Sequence, residues 1–90
     1  MAKMEKYPFS ENGIRFFLQE TFMFAWKISG SEAAARSTDA ISWYVSTGRA
    51  SSEFVRAMLK HRPSTIARRC LIGGSDQEII DRVKKLVGVW

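Results

Sequence analysis

Residues 10–30 read SENGIRFFLQETFMFAWKISG, and the fold turns on this stretch. Ser10 followed by Glu11 and Asn12 has the chemistry of a helix cap, because a serine hydroxyl accepts a hydrogen bond from amides that the first turn leaves unpaired. Pro8, just upstream, favours an extended entry into it. Ile14, Phe17, Leu18, Thr21, Ala25 and Ile28 then recur at helical spacing on one face. Gly30 is expected to end the helix in the left-handed conformation.

This helix is aromatic beyond the needs of one face. Seven of the eleven aromatic residues lie in the first 26 positions. At about 100° per residue, Phe16, Met23 and Phe24 point away from the stripe that contains Phe17. A helix apolar nearly all round is usually buried on every side, yet ninety residues supply little material to surround it. Each such side chain left in water forgoes about 1.5–3 kcal/mol. Two readings follow: the central helix of a compact bundle, or a surface for self-association or partner docking. In the second, Phe16, Phe22, Phe24 and Trp26 carry the interface, most simply in a two-fold homodimer. A platform for stacking single-stranded bases is a further variant.

Outward from this helix the punctuation repeats. Ser31 with Glu32 restarts a helical pattern, Ala33 to Ala35 have the strongest helix preference available, and Ala34, Ile41, Tyr44 and Val45 extend it to Gly48. Ser51 or Ser52 caps a third helix with Val55, Met58, Leu59 and Arg62 on one side and Arg56 and Lys60 on another. Pro63 stops it. Ser64 opens a short basic segment, 65–72, closed by Gly73 and Gly74. Ser75 with Glu78 three residues on is a capping box, and Ile79, Ile80, Val83 and Leu86 form the stripe of the last helix. Lys84 and Lys85 near its end suit the helix dipole. Only Trp43-Tyr44-Val45 has strand-like composition, and no hairpin turn flanks it. The expected fold is all-α: one domain, a small bundle of four or five short helices, with residues 1–9 as an extended N-terminal arm.

Charge divides the chain in two. Residues 1–48 carry five basic and five acidic side chains, whereas residues 49–90 carry nine basic against four acidic, so the net +5 belongs to the second half. Arg49, Arg56, Lys60, Arg62, Arg68 and Arg69 lie in a run with one acid, Glu53, and none between Phe54 and Ser75. Such a field favours a polyanion, and nucleic acid is the common one. The expected function is nucleic-acid binding through residues 49–90, with the aromatic helix for association. The alternative is a protein-interaction module, a regulator, inhibitor or assembly component, docking on another protein or nucleoprotein complex, with an acidic surface of the partner meeting these cations.

Other chemistries lack their residues. One cysteine and one histidine with sparse acids give no metal-ligand spacing, and neither an enzyme nor a cofactor is expected. Cys70 beside Arg69 has cations able to depress its pKa, but packing beside Ile66 and Leu71 is the plainer role. His61, between Lys60 and Arg62, reads as a solvated basic position. Gly73-Gly74-Ser75 before a helix has amides for an anion but no Walker lysine. A single cysteine suits the reducing cytosol, and the longest unbroken apolar run, Phe22 to Trp26, is too short for a secretory or spanning segment.

Two segments resemble helix-turn-helix DNA-binding proteins. Ile41 to Val45 followed by Ser46-Thr47-Gly48-Arg49 is similar to the recognition helix of excisionase-like proteins, although the stretch before it is about three residues short and one continuous helix over 33–46 fits better. Ser64 to Ile72, then Gly73-Gly74, then 75–86 has the small residue, Ala67, that the family places in its first helix. Its glycine comes about two residues late, and Asp76, Glu78 and Asp81 give the following helix an acidic face that phosphates would repel.

Overall fold

The Ser10 hydroxyl accepts from the Gly13 N–H at 3.1 Å and starts the first helix, α1 (Glu11–Ser29). The structure is a computed structural model describing residues 7–89. Gly13, Phe17, Thr21 and Ala25 form the buried row of α1, one residue every fourth position. Ile14 and Leu18 are half-buried beside it, while Ile28 is exposed because the last turn runs past the core. Tyr7, expected in an extended arm, is buried with its ring edge-on to Phe17 at 5.2 Å; residues 1–6 of that arm lie outside the described residues.

Gly30 differs from its expected geometry. Its φ of 87° is positive, but its ψ of 163° is extended rather than left-handed helical. That combination is open essentially to glycine alone, and it lets one residue fold α2 (Ser31–Ser46) back along α1. Trp43, Tyr44 and Val45 are helical, within α2.

Ser51 caps α3 (Ser52–Lys60), accepting from the Phe54 N–H at 3.0 Å. Arg62 does not join the face of α3 as expected: it is exposed and extended, with ψ of 140°. The ring of Pro63 crowds the preceding residue out of the helical region. Pro63 itself opens α4 (Pro63–Cys70), because the first helical position needs no N–H. The basic segment is therefore helical from two residues earlier than 65–72 and stops at Cys70.

The last helix, α5 (Asp76–Val87), starts at the expected capping box: the Glu78 N–H donates to Ser75 Oγ at 3.3 Å and the Ser75 N–H donates to Glu78 Oε1 at 3.1 Å. The Ser75 N–H, and after it the Ser75 hydroxyl donating to Glu78 Oε1 at 3.0 Å, hold the Glu78 carboxyl below the usual carboxylate range. The stability it lends is present above the unfolded pKa and lost as pH falls through the lowered folded value. Replacing Ser75 with alanine is expected to cost about 1 kcal/mol and to remove only part of this acid-side loss, since the backbone N–H of residue 75 still donates to the carboxylate, read from urea melts at several pH values.

The described residues contain five helices and no strand. α1 packs chiefly on α2 and α4, and α5 packs on α2, α3 and α4. Phe17, Ile41, Phe54, Met58, Ile66, Leu71, Ile79 and Val83 form the centre. The aromatic helix is thus a flank of the bundle and not its axis. Burial on all sides, the first of the two readings of this helix, does not hold: Phe16, Met23 and Trp26 are about half exposed.

Candidate nucleic-acid interface and association surface

Amphipathic spacing sends the charges of α3 and α4 outward. With Phe54, Val55, Met58 and Leu59 turned into the core, Arg56 and Lys60 share the solvent face one turn apart. Ile66, Ala67 and Cys70 anchor α4 and leave Arg68 and Arg69 outside. Arg49, Arg56, Lys60, Arg62, Arg68 and Arg69 are all exposed, and none is ion-paired among the described residues. Lys60 and Arg62 meet at the α3–α4 corner. Arg68 and Arg69 sit at the far end of α4, about 8–10 Å further along at 1.5 Å per residue.

Two of these cations are held by aromatic rings. The Arg56 guanidinium lies 4.0 Å from the centroid of Phe9, and that of Arg49 lies 4.4 Å from the centroid of Trp43. A ring occupies the flat face of a guanidinium and leaves its N–H edge free, which is the edge a phosphate takes. Charge spacing in the chain gives no sign of Phe9 or Trp43 as supports, since a turn separates Trp43 from Arg49 and two whole helices separate Phe9 from Arg56. Arg82 is used differently. Its Nη1 donates to the carbonyls of Gly73 at 2.6 Å and Cys70 at 3.0 Å, tying the 71–75 connection to α5.

The residues expected to carry association divide. Phe16 and Trp26 are half exposed and Phe24 somewhat less, whereas Phe22 is partly buried with its ring edge-on to Trp26 at 5.5 Å. Phe16 and Trp26 lie on the outer side of α1; Phe24 faces another way. Beside them runs an open groove of about 620 Å³ between α1 and α2, lined by Arg15, Leu18, Phe22 and Met23 from one helix and by Thr38 and Asp39 from the other. Leu18, Met23 and Asp39 were not among the expected interface residues. Their common surface arises only when α2 folds back at Gly30.

No protein-family model, curated protein or solved structure matches the chain. The chemistry of its surface therefore has to be read from its own residues. Ile41 to Ser46 belong to the uninterrupted α2, so the first helix-turn-helix-like segment has no turn. In the second, α4 and α5 are separate helices, but Asp76, Glu78 and Asp81 line the exposed side of α5.

The reactive candidates are quiet. Burial pushes the Cys70 thiol up to about 11, outweighing Arg69 and Arg82, which pull the other way. The depressed pKa that its cationic neighbours permit does not occur. Its contribution to stability is fully present below its ordinary 9.0 and is lost as pH climbs from there through about 11. Iodoacetamide is expected to leave the folded chain unmodified at neutral pH and to label it fully in denaturant, read by mass spectrometry. No group of three or more metal-ligating side chains converges among the described residues, and no helix there is long and apolar enough to cross a membrane.

Proposed function

We propose that this is a small non-enzymatic protein of the cytosol that binds nucleic acid through the exposed cations of α3, α4 and the loop before them, and associates through α1. One observation carries the reading: six exposed cations in 21 positions, none of them ion-paired among the described residues. Leaving them unpaired costs the fold little, since exposed ion pairs add little, but it preserves a field for phosphates. Phosphate contacts carry no sequence information, so the binding expected is general, and it fits the absence of an α5 surface suited to the major groove. The single buried thiol supports the cytosolic assignment.

The test is a titration of duplex and single-stranded DNA at several salt concentrations. With six phosphate contacts, affinity for duplex should fall about 10³-fold between 50 and 200 mM salt. Affinity that ignores salt defeats the proposal. The α1–α2 groove favours a second reading, a module that docks on another protein; a complete lack of affinity for DNA and RNA at near-physiological salt would leave that one standing.

A further inference from the structure

The groove between α1 and α2 is built for a helix. It is lined at positions 15, 18, 19, 22 and 23 of α1 and at 35, 38, 39 and 42 of α2, the spacing of one face on each. Two parallel ridges with a channel between them accept the ridge of a third helix. The floor holds the side chain of Thr38, nine-tenths buried, whose hydroxyl has no hydrogen-bond partner among the described residues.

We infer that this groove seats a second copy of the chain, docked about a two-fold axis that passes close to Gln19. The inference refines the association half of the function proposed above and rests on it, but uses none of the cations of α3 and α4. Charge is the first argument. The walls carry one cation, Arg15, and one anion, Asp39. Arg15 makes only an exposed contact of 3.4 Å with Glu11, and Asp39 makes no ion pair among the described residues. A groove with one charge of each sign suits neither a uniformly acidic nor a uniformly basic partner. It suits its own surface turned over, so that each Arg15 faces the other copy's Asp39.

The sequence of α1 supplies the second argument. In an isologous pairing of antiparallel helices, residues at about the same distance from the axis and on the same side of the helix meet, each pair twice. About Gln19, at about 100° per residue, this sets Phe16 opposite Met23 and the aliphatic stem of Arg15 opposite Phe22. Apolar groups meet on both sides of the axis, with two amides pairing on it. Phe16, Met23 and Trp26, each about half exposed, are covered in this arrangement. Phe24 is not. The size also suits: α1 is about 28 Å long, and a standard interface needs about 800 Å² per partner from a surface of 5969 Å².

Sedimentation of the full chain, with circular dichroism to confirm folding, tests this. The wild type should dimerise in the micromolar range. Met23→Lys sets a lysine against the other copy's Phe16 and should weaken the dimer about thirtyfold or more, the size of a hot-spot loss. Arg15→Asp and Asp39→Arg should each weaken it, and the two together should restore it. Phe24→Lys should leave it intact. Gln19→Cys should cross-link copies on oxidation, where Lys60→Cys does not. A wild type that remains monomeric at high micromolar concentration overturns the association reading and the inference together. A dimer indifferent to Met23→Lys and to the charge swaps, or broken by Phe24→Lys, overturns the inference alone.

Discussion

Gly13→Ala is expected to destabilise the fold by about 1–3 kcal/mol, the usual cost of forcing extra volume into a packed site. Intrinsic preference argues for the reverse, since alanine is the better helix former by about 1 kcal/mol. Packing decides the sign. A β-carbon at Gly13 would run into the carbonyl oxygen of Pro8, and would stand 3.0 Å from its carbonyl carbon and 3.1 Å from Cδ. The obstacle is backbone, which cannot rotate aside as a side chain does. The segment 7–9 has to lift, and Tyr7 leaves its place against Phe17 with it. A domain of this size holds only about 5–13 kcal/mol in total, so the loss is large. If the damage runs through Tyr7, Gly13→Ala should cost much less in a Tyr7→Ala background, an interaction that a double-mutant cycle reads. Stabilisation of the wild type by Gly13→Ala would show that the entry segment does not dock on α1 as described.

Gly13 marks the limit of what the chain discloses in one dimension. Ser10 and the Ser75–Glu78 box were legible, and the cap of α3 to within Ser51 or Ser52, because a cap is a local contract between a hydroxyl and an amide three residues away. Pro63 was legible as a break but not as the start of α4, since proline serves both roles equally well. What Gly13 touches, Pro8, is close in sequence, yet only the chain entering across α1 makes the contact. The same holds for Gly30. Its place between two helices was plain, but whether α2 continued outward or folded back depends on a ψ that no neighbour dictates.

The candidate surfaces divide in the same way. Exposure of Arg56, Lys60, Arg68 and Arg69 follows from amphipathic spacing and was expected. The rings under Arg49 and Arg56 come from elsewhere in the chain, Trp43 and Phe9, and had no local signal. The aromatic excess of α1 was visible, but composition cannot say whether a helix is the axis of a bundle or its flank. Phe22 shows the consequence: its position 22 is apolar either way, and only the neighbouring α2 makes it half-buried while Phe16 stays exposed. The groove needs both helices at once.

The second large effect concerns the cations. Arg56→Gln with Lys60→Gln, or Arg68→Gln with Arg69→Gln, should lower affinity for nucleic acid by the same factor on unrelated sequences. Phosphates are alike along any duplex, and these side chains have no base to read. Each lost contact removes about 0.9 from the slope of log affinity against log salt. Either pair should therefore flatten the slope by about two, and the fall between 50 and 200 mM salt should shrink from about 10³-fold to about 10²-fold. Folding should change little for Arg68 and Arg69, since like charges this close repel and exposed charges contribute little. Arg56 should show a small additional loss, about 0.5–1 kcal/mol, from uncovering the ring of Phe9. That asymmetry separates the two pairs by a measurement independent of binding. Should both double variants keep the full wild-type slope, these cations do not meet phosphate. If charge reversal at the same positions then dissolves a complex with an acidic protein, the field of α3 and α4 is read by a protein partner and not by nucleic acid.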